Sequence, residues 1–196
     1  MRTSLSLRVI SALMLFVFMG TVASQADTVA TFADPVPFGS NDYLFQFAND
    51  VLSGGWQGEN LDLITPITAE IYPDATFTMT PLTVDSMGLT SAGTIEFHES
   101  ASMGGDLILQ ITFDHAQLYS PFGFGGSTLV IGHNVQFSGP IITYPLDEEM
   151  FAFSFANQHS NSNGYSWSAA FTSSAIPEPC TLGLFGVAFL AIRRRR

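Results

Sequence analysis

The chain has 196 residues, 46% of them hydrophobic, which excludes a disordered polyelectrolyte and leaves room for one ordinary domain with short appendages. Arg2, Arg8 and the run Arg193 to Arg196 are the only permanently positive side chains, set against 17 carboxylates. One acid, Glu178, lies in the tail, so residues 27–176 hold 16 acids and no lysine or arginine, a balance that excludes nucleic-acid recognition because phosphate binding needs cations to release counterions.

Residues 1–26 read as a secretory signal, expected to be helical. Arg2 and Arg8 give a positive start, residues 9–20 are apolar apart from Ser11, and Ser24-Gln25-Ala26 supplies small residues before a cut between Ala26 and Asp27. Cleavage after Ala23 is the lesser alternative. The apolar run is short for a membrane span, which needs about 20 residues.

Residues 27–175 alternate apolar and polar side chains with a period of two. The pattern predicts nine strands, near 43–47, 61–64, 67–71, 76–80, 94–98, 106–114, 129–137, 151–155 and 165–171, separated by Gly, Pro, Asn and Ser clusters. One buried and one wet face per strand is the signature of antiparallel sheets, so the expected fold is all-β. Its expected form is an antiparallel two-sheet sandwich, with a jelly roll as one variant. In the hairpin around residues 94–114, centring on Gly104 sets Phe97 opposite Ile111, Ile95 opposite Phe113 and His98 opposite Gln110. His98 and His115 would then stand roughly 17 Å apart at about 3.3 Å per residue, too far to share a metal. Gly123-Phe124-Gly125-Gly126-Ser127 reads as a turn, and residues 157–164 as a polar loop.

Residues 176–196 form a separate tail. Ile176-Pro177-Glu178-Pro179-Cys180 is held extended by its two prolines, twelve apolar or small residues follow, and Arg193, Arg194, Arg195 and Arg196 close it. The twelve residues cover roughly 18 Å as a short hydrophobic helix, less than a ~30 Å hydrocarbon core, so a span requires snorkelling arginine stems. The arginines stay on the cytoplasmic side under the positive-inside tendency. Pro177-Glu178-Pro179, the apolar stretch and the arginine cluster, in that order, resemble the PEP-CTERM sorting signal of Gram-negative and related bacteria. The resemblance covers about the last 20 residues. It implies the secretion machinery and an exosortase, a membrane cysteine protease cutting near the tripeptide, as partners, and a setting rich in exopolysaccharide and biofilm genes. Cys180 departs from the pattern, standing where Ser or Thr is frequent; as the lone cysteine it forms no disulfide within the chain and is a candidate lipid or processing site.

Catalytic patterns are absent from the middle: no HExxH, no GxSxG, no phosphate loop. Of His98, His115, His133 and His159, His133 shares parity with Leu129, Ile131, Val135 and Phe137 and is expected as a neutral core histidine. Asp147-Glu148-Glu149 is the densest acidic cluster. Calcium takes several oxygen ligands, which makes the cluster a candidate calcium site although DxDxDG spacing is missing. Trp56, in a glycine-rich loop, and Tyr119, near Phe122 and Phe124, are candidates for stacking on a sugar ring; folding back over the core is the alternative for both. Trp167 alternates in phase with Tyr165 and Phe171 and is expected in the core.

These features lead to an exported, non-catalytic protein, displayed at the cell surface or released into an extracellular matrix, with polysaccharide as a candidate partner. The alternative is a secreted carbohydrate-active hydrolase using paired carboxylates. A third is a coat component whose acidic face collects divalent cations. Sixteen like charges with no cationic side chain repel one another, and the screening length shrinks to about 8 Å at about 0.15 M salt. Raising salt from low levels to about 0.15 M, or adding millimolar calcium, is therefore expected to raise the melting temperature; a scanning-calorimetry midpoint indifferent to both overturns this expectation.

Overall fold

The computed structural model describes residues 25–37, 40–130, 132–162 and 164–177. The signal segment before residue 25 and everything after Pro177, with their two expected flanking helices, lie outside the described residues. Ala26–Pro177 forms one compact unit.

The described residues contain fourteen strands. The first seven are β1 (Asp27–Phe32), β2 (Phe45–Ala48), β3 (Val51–Trp56), β4 (Leu63–Thr65), β5 (Glu70–Tyr72), β6 (Thr76–Met79) and β7 (Leu82–Thr83). The rest are β8 (Gly93–His98), β9 (Leu107–Phe113), β10 (Gln117–Tyr119), β11 (Gly123–Ser127), β12 (Val135–Ser138), β13 (Leu146–Asn161) and β14 (Gly164–Pro177). All pairings are antiparallel, as the alternation predicts.

The strands join in one hydrogen-bonded path, β10-β11-β13-β14-β2-β3-β6-β8-β9-β12, with β1, β4, β5 and β7 attached at its side. The link between its halves is β3. Leu52 and Gly54 pair with Phe47 and Phe45 of β2, whereas Gly55 and Trp56 pair with Thr78 and Phe77 of β6. Gly54 permits that crossing: a Cβ there would lie 2.6 Å from Cε1 of Phe45, so only a bare backbone fits under the ring.

Strands distant along the path share a phenylalanine core. Phe97 of β8 sits 4.9 Å, centroid to centroid, from Phe171 of β14, and Phe77 of β6 lies 5.9 Å from Phe153 of β13. Phe113 of β9 lies 5.1 Å from Phe151 of β13 and continues the core along the sheet. Trp167 is fully buried as expected, stacked 4.6 Å from Phe155, and its indole nitrogen has no hydrogen-bond partner.

Several details differ from the sequence expectation. The β8–β9 hairpin is slipped by two residues: Ile95 faces Ile111, Phe97 faces Leu109 and Glu96 faces Gln110. A 3₁₀ turn at Ala101–Met103 and a bulge opposite the Phe97–His98 step, where Ile108 is the extra residue, set this register. A slip of two keeps the faces, so Ile95, Phe97, Ile111 and Phe113 still point inward. The glycine segment at 123–127 is not a turn but β11, and the polar segment at 157–164 carries the β13–β14 hairpin nearly to its tip. The strand expected over 129–137 begins only at Val135, because the chain turns through Thr128–Val130 and through Gly132, whose φ is +80°.

The sheet's last strand, β12, packs against β13 without a backbone ladder. There the Phe137 amide donates to Oε1 of Glu149 at 3.1 Å, and Thr128 donates its amide and hydroxyl to the Glu149 carbonyl. Burial raises the pKa of Glu149 above the ordinary glutamate range, the Phe137 amide lowers it, and the nearby Asp147 charge raises it further. A carboxyl raised on folding contributes stability in full below its unfolded pKa and loses it as pH rises through the folded value. E149Q keeps the acceptor oxygen without the charge. It is expected to raise the melting temperature at pH 7 relative to the parent chain, with the gain vanishing near pH 4. Equal differences at the two pH values, or a lower midpoint at pH 7, count against this assignment.

Candidate functional site

Two concavities hold the aromatic candidates. The first, of about 500 Å³, is bordered by Asp42, Tyr43, Gln57, Glu59, Asn60 and the edge of Trp56. Trp56 is not the exposed loop ring that its glycine-rich context suggests. It ends β3, is 9% exposed, donates its indole N–H to the Glu59 carbonyl at 3.3 Å, and lies over Gly58. The alternative of a lid on the core describes it. Tyr43 stands beside this concavity, 37% exposed, with its ring 5.2 Å from that of His159.

The second concavity, of about 610 Å³, lies where β10, β11 and β13 meet. Tyr119 is 65% exposed and Phe122 is 77% exposed, while Phe124, between them and the core, is 2% exposed. The short link Ser120–Pro121, a cis peptide, joins the two exposed rings. Their backbone is fixed: the Phe122 amide donates to the Tyr119 carbonyl at 2.5 Å, and the Phe155 amide donates to the Phe122 carbonyl at 2.9 Å. Gly123 and Gly125 make the floor. A Cβ on either would fall within 2.4 Å of a carbonyl oxygen of β13, so the strands approach too closely for any side chain. Val130 and Met150 form walls, and among the described residues no Asp or Glu lines the depression.

The acidic triplet does not converge. Asp147, Glu148 and Glu149 belong to β13 itself, in a bulge between Asp147 and Met150, and Glu148 adopts φ +50°. Asp147 Oδ1 accepts the Glu148 amide at 2.9 Å, whereas the Glu149 carboxylate turns to the β12 seam. Among the described residues, no group of three or more His, Cys, Asp or Glu is placed to hold a metal.

The histidines separate into different settings. His98 faces the Gly105 carbonyl with Nδ1 at 3.2 Å and Glu96 with Nε2 at 3.5 Å. His133 is not the strand-core histidine expected from parity: it follows Gly132 in a turn, is half-buried, and meets the ring of His115 at 5.6 Å. Sequence inspection also missed a partly buried polar cluster. The Ser168 hydroxyl donates to the Asp34 carboxylate, and Asn157 donates to Ser168 Oγ at 2.9 Å. Ser168 is fully buried, and the cluster ties the loop after β1 to the β13–β14 hairpin.

Of the sorting residues, Pro177 is the last residue of β14, opposite Leu146 of β13. Glu178, Pro179, Cys180 and Arg193 to Arg196 lie outside the described residues. No family model, curated protein or solved structure matches this chain.

Proposed function

We propose that this chain is an exported, non-catalytic protein, sorted through its PEP-CTERM-like tail by an exosortase-type system and displayed at the surface or released into the extracellular matrix. The observation that carries this reading is the position of Pro177. Among the described residues the last backbone ladder ends there, and all fourteen described strands find their pairing before the Pro177-Glu178-Pro179 motif is complete. The tail holds the chain at the membrane until processing. The folded sheet, with its facing halves, acts in this reading as a two-layer sandwich sturdy enough for an extracellular setting without a disulfide.

Polysaccharide is the partner that the second concavity fits. Tyr119 and Phe122 offer two exposed rings, carried on a hydrogen-bonded backbone, beside a bare glycine floor, which suits the apolar face of a sugar ring. A neutral chain is the form that an acidic module of this kind tolerates, since a polyanion is repelled. The hydrolase alternative rests on the first concavity, where Asp42 and Glu59 both reach the border. Hydrolysis lost in D42N or E59Q favours that alternative.

Two measurements test the proposal. Intact mass of the protein recovered from the outer fraction is expected to begin at Asp27 and to end at or shortly after the PEP motif; a full-length mass in that fraction overturns sorting by cleavage. In affinity electrophoresis through gels containing neutral polysaccharides, Y119A and F122A are each expected to remove about 1 to 3 kcal/mol of binding, a loss of roughly fivefold to 150-fold, by analogy with stacking platforms for other planar ligands. Retardation identical to the parent chain in both variants removes this concavity from the binding surface.

A further inference from the structure

We propose that His115 and His133 form a binding site for one divalent transition-metal ion, copper(II) or zinc(II), with water completing the coordination. The two imidazole centroids lie 5.6 Å apart with an interplanar angle of 61°. Two imidazoles sharing one tetrahedral ion at metal–nitrogen distances near 2.0–2.1 Å bring their ring centres to roughly 5 to 5.5 Å, so the rings already stand close to a chelating separation.

The tautomer of His115 is fixed by its partner. Its Nδ1 lies 3.1 Å from the carbonyl oxygen of Thr90, a group that only accepts, so Nδ1 carries the proton and Nε2 keeps a free lone pair. Metal-ligating histidines are oriented in this way, by donating the second ring nitrogen to a carbonyl or carboxylate. Thr90 is itself held rigidly: it is 3% exposed, its amide donates to the Ala116 carbonyl at 2.9 Å, and its Oγ1 accepts the Ala116 amide at 3.0 Å. Thr90 is thus a positioning residue. His133 comes from a different segment, the turn after Gly132, which sets its half-buried ring beside His115 and on the wall of the Tyr119 concavity.

The surroundings favour a cation. Residues 27–176 carry 16 acids and no lysine or arginine, so the module's field concentrates positive ions near its surface. Carboxylates alone suit calcium, but two imidazole ligands select copper or zinc over calcium and magnesium. With two protein ligands the ion keeps exchangeable water positions.

The test is titration of copper(II) chloride into the untagged protein recovered from the outer fraction, followed by calorimetry and electron paramagnetic resonance. One equivalent is expected to bind with hyperfine coupling to two imidazole nitrogens. H115Q and H133Q are each expected to weaken that binding about tenfold or more, and H98Q to leave it unchanged. Near-UV circular dichroism checks that each variant is folded. Should a variant fail to fold, imidazole ¹⁵N resonances of the parent protein decide instead, since only those of His115 and His133 should broaden at substoichiometric copper. Absence of stoichiometric binding overturns the site. So does unchanged affinity in both variants, or broadening spread equally over all four histidines.

Discussion

The rings of Phe45, Phe77, Phe97, Phe153 and Phe171 hold together a module that has no permanent positive charge to set against its carboxylates. Phe153 lies at their centre, with ring centroids 4.7 Å from Phe171 and 4.8 Å from Phe45. Each such pair contributes about 0.5–1.5 kcal/mol beyond the burial of its area. The only ion contact among the described residues joins His98 to Glu96 at 3.5 Å, and it needs a protonated histidine to act as one. Cohesion therefore comes from apolar burial on the inner face, while the charges are distributed over the outer face where water and salt screen them. Buried polar groups inside are mainly hydroxyls bonded within the chain, such as Ser173 donating to the Ala30 carbonyl at 3.1 Å, while the buried Trp167 indole nitrogen has no partner.

Alternation was legible wherever both faces of a strand carry side chains. Ile95-Glu96-Phe97 and Phe151-Ala152-Phe153 announce their inward residues, and the structure buries those residues. The register of the β8–β9 hairpin was less legible, because parity restricts a pairing only to steps of two, and the choice among them lay in a 3₁₀ turn and a bulge at Ile108. Glycine-rich strands were illegible. Val51–Trp56 and Gly123–Ser127 lack side chains at the positions that would show a period, since Gly54 lies beneath Phe45 and Gly123 and Gly125 lie against the β13 carbonyls. What looks like turn chemistry in the sequence is, in three dimensions, close backbone approach.

The same limitation applied to the candidate sites. Local sequence singled out Trp56 first and the aromatic loop of Tyr119 second, as large rings near glycine, with the same alternative open for both. Their difference arises from the neighbouring backbone: Trp56 reaches the Glu59 carbonyl and closes over Gly58, whereas Tyr119 and Phe122 lie on either side of a short link whose carbonyls and amides are already bonded to each other and to β13. His115 and His133 gave no spacing signal at all, being 18 positions apart on either side of β10 and β11. Only the meeting of two turns at one end of the sheet brings them together, with Thr90 from a third segment fixing one ring.

Electrostatics then orders what such a surface can hold. A field set by 16 carboxylates attracts small cations everywhere, yet binds them tightly only where ligands are already gathered at low conformational cost. In the acidic triplet, Glu149 uses its carboxylate to secure β12, and Glu148 is exposed on a bulge. The histidine pair meets the condition, since its rings are adjacent and one is fixed by the Thr90 carbonyl. For larger ligands the same field acts in the opposite direction. An extended polyanion would have to cross the repulsion of the whole module, so under the proposed function a polymer partner would be neutral and would lie in a depression that no described carboxylate lines. Tyr119 and Phe122 overlook such a depression, with His133 on its wall. A sugar chain lying on the two rings and an ion held by His115 and His133 would therefore be neighbours, and each would alter the solvent available to the other.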